Sequence, residues 1–565
     1  MNITQYHPII KPVGGFVKKV CVFLAFFILA FEVVSAQTTV KGTLLGHDGK
    51  PMPKANVILM TTMQDSAVKI ADADKKGKYR ITVDSAGVWM LVFAGVNHSS
   101  HQVALYVDEP KKITLNIRLK TYDYLDSLDA VKIDGDFNHF NMQTANSMEK
   151  QSDGTFLAEF NTKADSFAYE IVGVTKDGHT INGTQSERYV YDSGGDFISI
   201  ITPVNGLARI IFDPFKLVKS DKPFKAAFAE SRSLEARFAG IYEEMMKELD
   251  DYRLTASAYV KSGKDMRRFN YDSYWYKEVE SITRKLGEEK NPVLRQELYL
   301  NYFWLALFNA KLEGSVVQDA LREIPPSSVV WSLIPNSIMP AGVERFAGLP
   351  AEEQDKYAER VLEENPVAGV KAQLLYTLCE VARHGHDSTK AATYYDMLVN
   401  KYGNTEPAKM AKVMFSPNLR VAVGKPVPAF SIASLEDSTK IFSDQSFKGK
   451  YYMIDFWATW CGPCVAEMES LHKAYARFKD KNFMMLSVSL DGSPQDVAKF
   501  RSGKWQMPWL QAFGGQAWDS KIVKDFEVVG IPRPVLIDTT GKIVAMEDEL
   551  RGENLEKTLE KYLGK

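Results

Sequence analysis

Cysteine is the residue this chain of 565 has least of: 4 in all, one of which, Cys21, lies in an apolar stretch near the start. The other three, Cys379, Cys461 and Cys464, are too few to staple a fold, which excludes a disulfide framework. An excess of charge is missing too. Lys and Arg total 69 against 71 for Asp and Glu, so no basic field draws a phosphate backbone, and nucleic acid is not an expected partner. Beside Cys461 and Cys464 there is no second C-x-x-C and no histidine pair at ligand spacing, and without four ligands no metal is expected. The His pairs that do occur, His98 and His101 in "HSSH" and His384 and His386 in "HGHD", read as loops, and His472 reads as part of a solvated helix face. The apolar run "VCVFLAFFILAFEVV" is interrupted by Glu32 and falls short of the ~20 residues of a comfortable bilayer span.

That run has another use. Lys11, Lys18 and Lys19 precede it and "VSA" closes it with small residues, the pattern of an export signal cut after Ala36 to leave Gln37 first. Residues 1–36 are therefore expected to be removed, with Cys21, and the protein is expected to be exported.

The length implies three or four units at ~100–200 residues each. From 37 to 122, short β-type runs such as "ANVILMTT", "YRITV" and "VWMLVFAGV" alternate with turn clusters and predict a β-sandwich. Its opening, "VKGTLLGHDGKPMPKANVIL", resembles that of carboxypeptidase regulatory-like domains, which implies a structural or adhesive unit. A second β-rich unit is expected over 123–222. The order "GDFN", "DGTF", "YVYDSGGDFISI" resembles the early-set modules of glycogen-branching enzymes. In those that bind glucan, exposed aromatics, often Trp, stack on sugars; here no Trp occurs between Leu125 and Leu217, Phe140 stands where the pattern continues toward one, and carbohydrate binding is not expected. Helical periodicity fills 223–415, as in "LEARFAGIYEEMMKELDDYR" and "AATYYDMLVNKYGNTEPA", either a docking surface or a plain spacer. Within it Cys379 falls among Leu374, Leu375, Leu378 and Val381 at helical spacing and reads as a buried, inert thiol. Strands and helices alternate from 420 to 565, which predicts a sheet covered on both faces. The expected architecture is two β-sandwiches, a helical middle and a C-terminal α/β domain.

The cysteine pair lies in that last domain, in "DFWATWCGPCVAE". A strand ending "MIDFW" and a helix starting within "CGPCVAEME" put Cys461 at a helix N-terminus, where backbone N–H groups and the macrodipole favour its thiolate, so Cys461 is the candidate nucleophile. Gly462 permits the tight approach. Pro463 suits the first helical turn, where its missing N–H costs nothing. Cys464, farther into the helix, is the more shielded sulfur. Asp455, flanked by Ile454 and Phe456, is a strand carboxylate that is costly to bury without a role.

"FWATWCGPC" is the active-site run of thioredoxin-fold oxidoreductases, and with "GKPVPAF" and "VVGIPRPVLIDTTGKIV" it resembles the TlpA/ResA-like thiol-disulfide oxidoreductases of the bacterial periplasm. The resemblance covers the last quarter of the chain. It implies a thioredoxin fold and a Cys461–Cys464 disulfide that cycles with the dithiol, without a cofactor. It implies that Ile531–Pro532 is a cis pair lying against that disulfide and meeting substrate backbone, with Trp460, Gly462 and Pro463 completing the substrate-facing rim. Asp455 matches the buried acid of thioredoxin that helps deprotonate the second cysteine. Glu467, three residues after Cys464, matches the acid of ResA-like proteins, although a first-turn acid is also what a helix dipole favours. Trp457 and Trp460 flank the site and default to packing. Arg533 departs from the Thr common after that proline, a difference that bears on substrate preference.

The implied partners are protein thiols and disulfides, and the implied location is the periplasm. The Gly462–Pro463 dipeptide is thioredoxin's own, and thioredoxin lies near −270 mV against about −120 mV for the oxidant DsbA, ~7 kcal/mol for a two-electron couple. A reductant is expected, recharged through an inner-membrane donor of the DsbD or CcdA kind, with apocytochrome c thiols or misoxidised proteins as substrates. Two alternatives stand beside it. One is a peroxiredoxin-like peroxidase, whose cysteine usually follows a P-x-x-x-[ST]-x-x-C run not found before Cys461. The other is a binding scaffold with a vestigial redox domain.

Overall fold

The computed structural model describes residues 37–52, 54–61, 67–138, 140, 142–185, 188–192, 197–262, 264, 268–308, 314–333, 351–385, 387–503, 505–515 and 517–564. The segment 1–36, read above as an export signal, and His386 lie outside the described residues, whereas His384, read above as loop, is the last residue of the helix Ala368–His384. No helix among the described residues is long and apolar enough to cross a membrane.

The first β unit packs two sheets face to face. In one, Thr38–Leu45 runs antiparallel to Lys78–Val83 and parallel to Lys112–Arg118; the other is ordered Lys69–Asp72, Ala55–Met60, Gly87–Gly95, His98–Val107. Val40, Val57, Leu91, Phe93, Leu105 and Leu115 fill the space between. The strand "GVWMLVFAG" is buried at every position, which a strand covered on one face only would not be. Its outer face, through Val88 and Met90, meets Phe238 and Tyr242 of the helix Leu234–Lys261.

Two expectations change here. Residues 225–228, which periodicity assigns to the helical region, form a strand that pairs antiparallel with Lys112–Arg118, so the first sheet is completed by a segment more than a hundred residues downstream. His98 and His101 are not in a loop but on the strand His98–Val107, opposite Gly95 and Phe93. His101 stacks on Phe224 with ring centroids 4.1 Å apart, and His98 Nε2 lies 3.0 Å from His47 Nδ1.

In the second β unit a three-stranded and a five-stranded sheet enclose Phe156, Tyr169, Ile171, Ile210 and Phe212. Phe160 stacks on Phe137 and Phe167, with ring centroids 4.3 and 5.1 Å apart, so these aromatics spend their faces on one another. Phe197 packs on Ile58 and Val92, an apolar seam that joins this unit to the first. The helices that follow, from Leu234 to Met414, bury Trp275, Phe303 and Trp331.

Elements of the C-terminal domain are numbered from its central strand: β1 Tyr451–Trp457, α1 Gly462–Phe478, β2 Phe483–Ser489, α2 Pro494–Arg501, β3 Leu510–Phe513, α3 Lys521–Asp525, β4 Arg533–Ile537, β5 Ile543–Met546 and α4 Gly552–Leu563. The sheet order is β3-β2-β1-β4-β5, parallel across β1, β2 and β3 and antiparallel across β1, β4 and β5. β1 and β4 are buried almost throughout because helices cover the sheet. Cys464, Met468, Leu471, Ala474 and Phe478 recur at helical spacing and form the buried face of α1; Leu555, Leu559 and Leu563 do the same for α4, which packs against α1. This is a thioredoxin-like arrangement, and it places the cysteine pair at the carboxyl end of its central strand.

Candidate active site

β1 ends at Trp457, whose carbonyl accepts from Leu490 N at 2.8 Å. The three residues before Cys461 are then tied down by a group the motif does not reveal. Asp491, buried after β2, accepts from Thr459 N at 3.1 Å and from Thr459 Oγ1 at 2.6 Å, and takes a third bond from Ser489 Oγ at 2.7 Å. A carboxylate with these donors is satisfied although buried, and it fixes the loop that presents the first sulfur. Its only sequence signal is an Asp directly after a strand.

Cys461 is the N-cap of α1: its Sγ accepts from Cys464 N at 3.1 Å, and Pro463 occupies the first turn. The pair is disulfide-bonded, with the Cα atoms 5.2 Å apart. The same Sγ lies 3.7 Å from the carbonyl oxygen of Ile531, and the Ile531–Pro532 bond is cis. Gly462 and Pro463 are exposed, Ile531 and Pro532 half-buried, and Cys464 buried. Trp460 is 44% exposed, its ring 6.5 Å from that of Trp518; Trp457 is buried against Phe500. Trp518 was not legible as a neighbour, since nothing local links it to residue 460.

The two candidate acids lie on the elements that flank the cysteine pair, Asp455 on β1 and Glu467 on α1. Asp455 is 3% exposed on β1, between Ser487 of β2 and Pro534 of β4. Burial, and then the negative charge of Glu467, push its carboxyl up to about 7, with Arg551 pulling the other way. Glu467 Oε2 accepts from Gly552 N at 2.7 Å, at the start of α4, and its Oε1 is 3.6 Å from Arg551 Nε. Glu467 is the sixth residue of α1, beyond the first turn in which a helix dipole would favour an acid, and it serves instead the first turn of α4.

Two other residues take places that sequence reasoning did not give them, and Cys379 takes the buried one that it did. Arg533 is only 7% exposed, and its Nη1 donates to Glu547 Oε1 at 2.6 Å; Tyr376 and Arg383, on the helix Ala368–His384, lie within electrostatic reach of that pair. Its guanidinium is turned inward, away from the exposed rim. His472 is not on a solvated face: it is half-buried, its Nδ1 2.8 Å from the Met468 carbonyl and its ring flanked by Trp505 and Trp509, which fold back from the far side of β2. Cys379 is buried and free, with Sγ 3.4 Å from the Ala391 carbonyl.

Residues 422–563 match the Redoxin family model. The chain is 32% identical over 152 residues to the thiol-disulfide oxidoreductase ResA of Bacillus cereus and 30% identical over 152 residues to that of Bacillus anthracis, in each case 27% of this chain and 82% of the relative. Among solved structures, the thioredoxin domain of a thiol-disulfide oxidoreductase from Bacteroides vulgatus is 35% identical and covers 25% of this chain and 99% of its own, with a TM-score of 0.24 over the comparison. A paired C-x-x-C at a helix start and relatives matched over most of their own length lead to one family: through its C-terminal domain the chain belongs to the redoxins, as a thiol-disulfide oxidoreductase of the ResA kind.

Proposed function

We propose that the protein is an exported reductase of protein disulfides, with Cys461 as nucleophile and Cys464 as resolving thiol. In the reduced protein the Cys461 thiolate attacks one sulfur of a substrate disulfide. A mixed disulfide forms, and the other substrate sulfur leaves as a thiolate that takes up a proton. Cys464 then gives its proton to the Asp455 carboxylate and attacks Cys461 Sγ, expelling the second substrate thiolate, which takes up a proton as Asp455 releases its own. The substrate gains two electrons and two protons, and the protein is left with the Cys461–Cys464 disulfide.

The observation that carries this reading is the cap: Cys461 Sγ accepts the N–H of Cys464 at the start of α1, where a developing thiolate is stabilised by that N–H and by the macrodipole. The Ile531 carbonyl beside the sulfur supports an edge on which a substrate backbone pairs next to Pro532. Trp460, Gly462 and Pro463 form the exposed surface around it. Glu467 serves the second step by acting on Asp455. An oxidising periplasm would leave the disulfide form to accumulate, so the cycle requires a membrane-spanning thiol donor of the DsbD or CcdA kind; apocytochrome c thiols or misoxidised proteins are the substrates this polarity suits.

The test is Cys464→Ser in the periplasm of a producing cell. Mixed disulfides between Cys461 and oxidised client proteins should accumulate and disappear on treatment with dithiothreitol. If no adduct forms while the wild-type protein still reduces insulin, the assignment of the two sulfurs is wrong.

A further inference from the structure

The start of α4 is built around a side chain of another helix. Gly552, at φ +51, sends its N–H to Glu467 Oε2, and the preceding residue, Arg551, sets its Nε 3.6 Å from Oε1 of the same carboxylate. Arg551 occupies the N-cap position in extended conformation, yet its side chain does not cap its own helix. Its Nη1 reaches Asp548 at 3.7 Å, and its buried Nε has no partner at hydrogen-bond distance. It is placed as a charge rather than as a cap. Glu467 lies on α1 about one turn beyond Cys464, and the groups acting electrically on Asp455 are Glu467 and Arg551; its neighbours across the sheet, Ser487 and Pro534, carry no charge.

We propose that Arg551 is a positioning residue for the second half of the exchange: it holds Glu467 in place and supplies the positive charge that acts on the Asp455–Glu467 pair. This rests on the reading of Asp455 as proton acceptor for Cys464. The need follows from the chemistry. A carboxyl accepts a proton only when ionised, and a buried carboxyl that feels the negative charge of a second, part-buried one resists ionisation. The guanidinium offsets that repulsion and so keeps part of the Asp455 population ionised, in its accepting form, at neutral pH.

The experiment uses the reduced full chain and an aromatic disulfide that releases a coloured thiolate at each step. The first release reports attack by Cys461 and the second reports resolution by Cys464, each followed from acid to alkaline pH. In Arg551→Gln the pH profile of the second release should move up by about one unit, the first release and the alkaline plateau staying as in wild type. Arg551→Lys should restore the wild-type profile. Glu467→Gln, which removes the repelling charge, should move the profile in the opposite direction, a sign that mere loosening of α4 would not produce. An Arg551→Gln profile that superposes on wild type overturns the proposal. Asp455→Asn separates the two levels: if it abolishes the pH dependence while Arg551→Gln leaves it in place, only the role of Arg551 falls; if it leaves the profile unchanged, the acceptor reading falls and this proposal with it.

Discussion

The helical region and the C-terminal domain each bury a cysteine, Cys379 at 1% and Cys461 at 5% exposure, and burial therefore does not separate the sulfur proposed to react from the one that is not. Position on the helix does. Cys379 lies in the body of its helix with a carbonyl 3.4 Å away, and burial pushes its thiol up to about 11; Cys461 stands before the first turn of α1 and accepts an N–H. Both sulfurs have a carbonyl nearby, that of Ile531 being 3.7 Å from Cys461, so it is the helix-start N–H, which favours a thiolate, that sets Cys461 apart. The most severe test of this contrast is a pair of substitutions: Cys461→Ala should abolish reduction of insulin disulfides, whereas Cys379→Ala should leave the rate within about twofold of wild type. A large loss in Cys379→Ala would mean that the helical region takes part in electron transfer. A second test needs no activity. In the reduced native protein at neutral pH, iodoacetamide should label Cys461 rapidly and Cys379 only after unfolding, and mass spectrometry of the labelled peptides reads the difference.

Both regions also bury acids, and one from each makes a second contrast. Glu297, on the helix Pro292–Leu307, has both oxygens enclosed without a hydrogen bond, and burial alone holds its carboxyl well above the usual range. Asp455 is raised by burial too, but it also feels Glu467 and Arg551. Burial alone holds Glu297 toward its neutral form, whereas Asp455 is poised to change charge near pH 7. Asp455→Ala should slow the resolving step above neutral pH by about 10–100-fold and leave the first attack nearly unchanged, whereas Glu297→Gln should alter neither; rapid-mixing kinetics of both steps decide it.

A smaller effect concerns stability. Burial pushes the Asp455 carboxyl up to about 7 in the fold, well above its ordinary range, so the folded state holds this proton more tightly. Its contribution is fully present below about pH 4 and is lost as pH rises through about 7. Asp455→Asn should therefore stabilise the C-terminal domain by roughly 2–4 kcal/mol at about pH 8 and by nothing measurable at about pH 4. Denaturant melts followed on that domain's transition, at both pH values, check the sign.

What could be read from the sequence was local. The start of α1 with Cys461 ahead of it follows from a strand-forming run, a Gly–Pro pair and an amphipathic stretch within a few residues of one another. The burial of Asp455 follows from its apolar neighbours in a strand without alternation. What could not be read joins distant segments: Asp491 to Thr459 across 32 positions, Gly552 to Glu467 across 85, and the strand Lys225–Phe228 to Lys112–Arg118 across the whole second β unit. His472 shows the limit most clearly. Its helix neighbours are polar enough to suggest a wet face, and only the return of Trp505 and Trp509 over it encloses the ring. Arg533 reads as a substrate-facing departure from thioredoxin until its partner Glu547, from the end of β5, turns it inward.

The central claim is that the Cys461–Cys464 couple gives electrons rather than takes them, and its equilibrium potential tests that claim most directly. Purified protein is equilibrated with graded ratios of reduced and oxidised dithiothreitol, and the pair is counted by thiol trapping at Cys461 and Cys464. With thioredoxin's own Gly462–Pro463 dipeptide between the sulfurs, the midpoint should fall near −270 mV. A midpoint near −120 mV, the range of DsbA, would contradict the account and make the protein a donor of disulfides.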